Sequence, residues 1–253
     1  MDKVTLRSEQ NLRGYDLAWM QKYTQIAFGR FIRSVLGNTN TQVDGLVATE
    51  DSTPSLILNI SEGRIYQLAP LDETQWGILD ADSTLEMRQG YKAAHQLTIS
   101  TAGLSAGQSQ WVLIEAAFLE SDEIPADDPT NGILAYWNSE EPTNPLQGPN
   151  NSGAQQDTVR RGTIDIQIIY GAAATTGSQV PPTPSGGYAG LYLIELTFGQ
   201  TSITNGQIIK AGPSVGTNVP SNYPVAPFAG GLYAQHHKGV GGQAPKIQLN
   251  NGE

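Results

Sequence analysis

One amphipathic helix opens this chain, and almost nothing helical follows it. Over residues 15–36, Trp19, Tyr23, Ile26, Ala27, Phe31, Val35 and Leu36 make a broad apolar stripe, with Gln21, Lys22, Gln25, Arg30 and Arg33 on the rest. That recurrence every three to four residues predicts a helix with one apolar side. Asp16 is the candidate N-cap after a break at Gly14, and Gly37 stands where a left-handed C-terminal cap belongs. From Asn38 onward the chain is rich in Gly, Pro, Asn and Thr, and its apolar residues fall in short alternating runs that suit strands. A helix fixed to the front of a β domain needs a surface for its stripe. That need points to assembly rather than to chemistry.

Length and composition narrow the options. A chain of 253 residues holds one large β domain with appendages, or two small domains. A hydrophobic share of 38% with 28 Gly and 15 Pro suits a β-sandwich with long loops, or a core completed by neighbouring chains. The formal charge of −10 speaks against a nucleic-acid or anionic-membrane surface, which needs clustered Lys and Arg. Without cysteine there is no disulfide framework and no thiolate metal site. No stretch approaches the roughly 18 apolar residues of a membrane span. The opening Met1-Asp2-Lys3-Val4 lacks the charged and apolar regions of a signal peptide, so the expectation is a protein made in the cytoplasm that stays there or leaves within a particle.

The strand pattern is sharpest at 55–60 and 64–69, where Leu56, Leu58 and Ile60, then Ile65, Gln67 and Ala69, alternate about Ser61-Glu62-Gly63. This predicts a hairpin with Gly63 at positive φ. Residues 43–47 read as a short strand with a bulge at Gly45, and 75–79 and 96–100 as weaker strands. Residues 110–119 are apolar on both faces, as in a central strand, and 163–170 alternate through Ile164, Ile166 and Ile168. Trp111, Leu113, Phe118, Ile164, Ile166, Leu193 and Leu196 are the expected shared core. A polar insert with five prolines fills 120–162, broken by one more strand at 133–137, and 172–187 reads as a mobile loop. The chain therefore divides into a helical arm at 1–40, a β-sandwich-like domain at 41–211 and an extended C-terminal arm at 212–253. The last is too rich in Pro and Gly for helix or central strand. Its Tyr223, Phe228, Leu232, Tyr233, Ile247 and Leu249 are nonetheless too apolar for a plain linker.

No pattern marks catalysis. His95, His236 and His237 stand near no G-x-S-x-G nucleophile, and His95 opens a strand. His236 and His237 would line a metal only on a three-fold axis, and solvent-facing histidines are the simpler reading. Glu120, Asp122, Glu123, Asp127 and Asp128 lack calcium-loop spacing and read as a solvated charged loop. Glu140 and Glu141 are adjacent rather than set across a cleft, and the Gly-rich stretch at 239–246 lacks phosphate-loop order. The expectation is a protein that is not an enzyme, with no cofactor and no metal. Of the four tryptophans, Trp137 in the insert is the one placed to touch a partner.

Three segments together resemble the N-terminal attachment part of tailed-bacteriophage baseplate and tail-fibre proteins. They are Asp44-Gly45-Leu46-Val47 with Leu56-Ile57-Leu58-Asn59-Ile60-Ser61-Glu62-Gly63-Arg64-Ile65-Tyr66; Gly190-Leu191-Tyr192-Leu193-Ile194-Glu195-Leu196 with Gly199-Gln200-Thr201-Ser202-Ile203-Thr204; and Ala244-Pro245-Lys246-Ile247-Gln248-Leu249. The resemblance is discontinuous over about 43–249. It implies a trimeric structural protein of the virion tail, made in the host cytoplasm, that attaches a fibre or adhesin to the baseplate. It carries over no catalytic residue. The helix would then meet its copies or other baseplate proteins through Trp19, Tyr23, Ile26, Phe31 and Val35, and the C-terminal arm would lie on a neighbour. The alternative is a carbohydrate-binding module that recognises a host cell-surface glycan through Tyr136, Trp137 and the acidic insert.

Overall fold

Helix α1 spans Gly14–Leu36 in a computed structural model that describes residues 2–9, 11–36 and 41–211. Asp16 lies inside its first turn rather than capping it. The carboxylate accepts from the backbone N–H and guanidinium of Arg13, at 3.1 and 2.8 Å, satisfying an amide that the helix leaves orphaned.

Thirteen strands follow among the described residues. The first are β1 (Gln42–Gly45), β2 (Ala48–Glu50), β3 (Ile57–Ile60), β4 (Gly63–Asp72), β5 (Asp82–Lys92) and β6 (His95–Thr98). Then come β7 (Gln108–Glu123), β8 (Ala135–Tyr136), β9 (Leu146–Gln147), β10 (Val159–Tyr170), β11 (Ala174–Thr175), β12 (Ala189–Thr197) and β13 (Ile208–Lys210). A curled sheet of order β1-β4-β5-β10-β7-β12-β13 packs against the smaller sheet β2-β3-β6, and β8 pairs with β9 apart from both. The domain is β-sandwich-like, as its alternating runs predict. All pairs are antiparallel except β5 with β10, which meet in parallel at Tyr91 and Thr163. Gln67 draws β4 toward β7: its side-chain oxygen accepts from Phe118 N–H at 2.7 Å, and its amide donates to Gly187 C=O at 2.6 Å.

The expected hairpin about Ser61-Glu62-Gly63 is not there. Strands β3 and β4 belong to different sheets, and both pair with the preceding segment, Ala48 opposite Ile60 and Gly45 opposite Gly63. The true hairpin turns at 51–56 and folds over at a corner. There Gly45 and Leu46 take φ of 76° and 51°, and Leu46 N–H donates to Glu62 C=O at 3.1 Å. Gly63 does not need positive φ. It needs to lack a Cβ, which would stand 2.4 Å from the Leu46 nitrogen. Strands that switch sheets at such corners close a sandwich without a separate crossover.

The core joins Leu46, Leu58 and Ile60 to Ile65, Val112, Ile114, Ile164, Tyr192, Ile194 and Leu196. Ile164 and Leu196 lie in it as expected, and Phe118 and Ile166 pack against it half-buried. Trp111, Leu113 and Leu193 do not join it. Strand alternation puts them on the reverse face, where Leu113 pairs with Leu193 and Trp111 with Glu195. That face is covered by 172–187, which is therefore not a free loop. β11 pairs with β7, Pro184 sits beside Gly190 and Leu113, and Ser185 N–H donates to the fully buried Glu115 at 2.8 Å. Strand β5 has no counterpart in the apolar pattern, and 75–79 makes only a single bridge, Trp76 to Leu79. The polar insert is shorter than expected, because β7 runs to Glu123 and β10 begins at Val159.

Candidate functional site

Hairpin β4–β5 has two ends. Gly63 and Lys92 adjoin the small sheet, while Asp72 and Asp82 close the other end and receive α1. The helix docks there by the side that the sequence pattern assigns to solvent. Lys22 is 4% exposed and reaches Asp72 at 3.3 Å and Asp82 at 2.6 Å. Arg30 binds Glu86 at 3.0 Å, and Ile32 is buried. Gly29 makes the approach possible: a Cβ there would lie 2.8 Å from the Met87 carbonyl oxygen.

Beneath the helix the charges continue inward. Asp72 faces Arg160 at 3.6 Å, Arg160 binds Asp122 at 2.7 Å and faces Glu120 at 3.8 Å, and Glu120 pairs with Arg88. Arg88 also donates to the carbonyls of Pro70 and Leu71 and lies 5.2 Å over the Phe118 ring. Glu120 is thus a buried ion-pair partner and not part of a solvated acidic loop. A cavity of about 200 Å³ lies over this floor, walled by Gln25, Phe28, Gly29 and Ile32 of the helix and by Trp76 and Met87. The hydrogen bond from Lys22, with a further one from Thr84, holds the Asp82 carboxyl at about 2. Burial pushes the Lys22 ammonium down, but its bonds to Asp82 and Asp72 outweigh that and leave it raised. The Arg160 guanidinium holds Asp122 below its ordinary value. Each cation here already faces a carboxylate, so the arrangement suits anchoring rather than proton transfer.

The predicted partner-facing residues of the helix stay off this seam. Trp19, Tyr23, Ile26 and Val35 are half-buried, and Phe31 is 63% exposed. Tyr15, Trp19 and Tyr23 stack along the helix with centroids 5.9 and 5.1 Å apart, and Trp19 Nε1 is buried with no acceptor among the described residues. A groove of about 340 Å³ runs along this side, lined by Tyr23, Ile26, Ala27, Arg30, Phe31 and Ser34, with Asp2 of the leading segment beside them. The C-terminal residues Tyr223, Phe228, Leu232, Tyr233, Ile247 and Leu249, together with His236, His237 and Gly37, lie outside the described residues. In the insert, Trp137 is 74% exposed next to Tyr136, whose hydroxyl bonds Gln156. Among the described residues no cluster of His, Asp and Glu is built to hold a metal ion.

No family profile, no characterised protein sequence and no solved structure matches this chain.

Sequence reasoning missed the anchor residues Lys22, Asp72, Asp82, Glu86, Arg88 and Arg160. The available signal was charge at strand spacing, Glu86 with Arg88 and Glu120 with Asp122. Period-two charge looks like a solvent face until a second element covers it.

Proposed function

We propose that this chain is a non-catalytic structural subunit of a larger assembly. Its resemblance to tailed-phage attachment proteins makes that assembly a tail tip or baseplate, in which a homotrimer fastens a fibre or adhesin to other baseplate proteins. The protein is then made in the host cytoplasm and resides in the virion tail. One observation carries the reading: α1 uses its Lys22–Gly29–Ile32 side against its own sheet and leaves Leu17, Met20, Phe28 and Phe31 between 45% and 63% exposed. Each Å² of that apolar surface left in water costs about 25 cal/mol, and uncovered patches of this kind mark interaction sites. Light scattering on the full chain at micromolar concentration tests it. The expected mass is three chains; a monodisperse monomer overturns the trimer.

A second reading rests on Trp137, held exposed beside Tyr136 in the insert. An exposed aromatic pair with carboxylates nearby suits a host-surface glycan. A glycan array with the full chain and the Trp137→Ala variant separates the two, since only a glycan site loses signal with the indole.

A further inference from the structure

Residues 172–187 seal a carboxylate while hardly being buried themselves. Among them Ala174, Gln179, Pro182 and Ser185 are half-buried and the rest are exposed, Val180 at 73%. Beneath them Glu115 is 0% exposed. Its Oε2 accepts one hydrogen bond, from Ser185 N–H at 2.8 Å, and its Oε1 accepts none. Nothing around it brings a positive charge. The segment 172–187 holds no charged residue at all. Gln167 of β10 and Gly190 of β12 stand opposite Glu115, and the next charged groups in register on those strands are the carboxylates of Asp165 and Glu195. Tyr188 OH donates to Asp165 at 2.5 Å, Gln179 donates to Glu195, and Gln67 of β4 donates to Gly187 C=O at 2.6 Å. Lys92 of β5 acts on Asp165 from a distance, but its hydrogen bond goes to Ile164 C=O at 2.9 Å. Among the described residues no ion pair joins any of these three carboxylates to a cation.

A carboxylate removed from water is costly unless a cation or several hydrogen bonds replace its hydration. Glu115 has a single amide, and its neighbours of like sign add to the cost. What holds the cover down is small: those polar contacts, the two-residue pairing of β11 with β7, and Pro184 beside Gly190 and Leu113. At the far end stand Gly186 and Gly187, where an added Cβ would meet nothing within 4 Å, so packing does not clamp the backbone there. We infer that 172–187 is a strap poised to open about Gly186-Gly187, with the unpaired charge of Glu115 setting the balance between closed and open. Opening hydrates Glu115 and brings Leu113 out from beside Pro184, while β7, β10 and β12 stay paired underneath. A segment with so few buried apolar contacts opens locally far more readily than the core beneath it. A strap of this kind works in a monomer and in an assembly alike.

Hydrogen exchange of the full chain, followed residue by residue by NMR at neutral pH, reads the opening at Ser185 N–H. Glu115→Gln keeps the shape and an acceptor but removes the charge. It is expected to slow exchange at Ser185 by about tenfold or more, with Val112 and Ile114 N–H unchanged. Loss of a nearby negative charge would by itself speed base-catalysed exchange, so a slowing reports closure. Unchanged or faster exchange at Ser185 overturns the proposal and leaves Glu115 as an anchor for the strap. A slowing shared equally by Val112 and Ile114 also overturns it, because the gain is then global. A second measurement leaves Glu115 in place. The natural chain has no cysteine, so Leu113→Cys puts a single thiol on the face under the strap, and Ile114→Cys puts one in the core on the opposite face. With a thiol reagent in excess, Leu113→Cys is expected to react about tenfold faster than Ile114→Cys, or more. Equal rates would mean that Leu113 is reached only when the whole fold opens, which overturns the strap even where Glu115→Gln fails to fold.

Discussion

The two ends of the β4–β5 hairpin are closed by opposite means. At the Gly63–Lys92 end, Leu46, Leu58, Ile60, Ile65 and Ile114 pack into one apolar core. At the Asp72–Asp82 end, Lys22, Arg88 and Arg160 face Asp72, Asp82, Glu120 and Asp122 beneath a helix. The first closure is non-directional and holds no ion pair for a simple salt to screen. The second depends on complete pairing, because a buried charge deprived of its partner costs far more than an intact pair contributes. One end is therefore stable in itself, while the other is conditional on the helix being seated.

The largest effect should come from the apolar end. Ile114→Ala, at a fully buried site between β10 and β12, is expected to lower stability by about 4 kcal/mol in denaturant titrations, equally at low and high salt. A salt-dependent loss would show that the two ends are not separate. Arg160→Met should cost about 3 kcal/mol, because Asp72 and Glu120 each lose a cation while they stay buried. That loss should appear first as faster hydrogen exchange in α1; uniform exchange over the whole sheet would contradict the division. Phe118→Leu probes the border between the ends. It keeps most of the volume but removes the ring under Arg88, for an expected loss of about 1 kcal/mol.

The smallest effect is the dependence on pH. Asp82 has a carboxyl depressed to about 2, so its contribution is complete above its unfolded value near 4 and disappears as pH falls through about 2. Lys22 is raised, so its contribution is complete below its unfolded value near 10.4 and disappears as pH rises through the higher folded value. Helix protection should hold level between about pH 4 and 10 and fall outside that window, with the apolar core unaffected. Asp82→Asn should shrink the acid limb, leaving the part that Asp122 and Asp16 contribute, and should move the alkaline limb to lower pH, because Lys22 loses the first of the two carboxylates that raise it; an unchanged acid limb would show that Asp82 has no part in it.

The parts of the fold that could be read from the residues were those whose pattern is set by apolar side chains. Residues 110–119 read as a central strand because Val112, Ile114 and Ala116 alternate with Trp111 and Leu113, so both faces of β7 find apolar cover. The helix was legible from its spacing, but its seat was not. The stripe of Trp19, Tyr23 and Ile26 is the larger apolar surface, yet α1 docks by Lys22, Gly29 and Ile32. Local periodicity reports which residues share a side; it does not report that Asp72 and Asp82 wait at the end of a hairpin to receive an ammonium. Strand β5 escaped notice for the same reason, since Glu86 and Arg88 are inward residues that look like outward ones.

Composition and local pattern alone determined that this chain is mainly β, that one helix leads it, and that disulfides have no part in its stability. Those properties follow from short-range backbone preference and from which side chains exist at all. Only the tertiary structure decided that the strands on either side of Ser61 and Glu62 enter different sheets, that 172–187 lies over Glu115, and which side of α1 is seated. Each of these depends on residues distant in sequence meeting in space: a missing Cβ at Gly63 against Leu46, an amide of Ser185 against a buried carboxylate, and Gly29 against the Met87 carbonyl. Such close approaches and charge pairings take their energy from the pair, and neither member signals it alone.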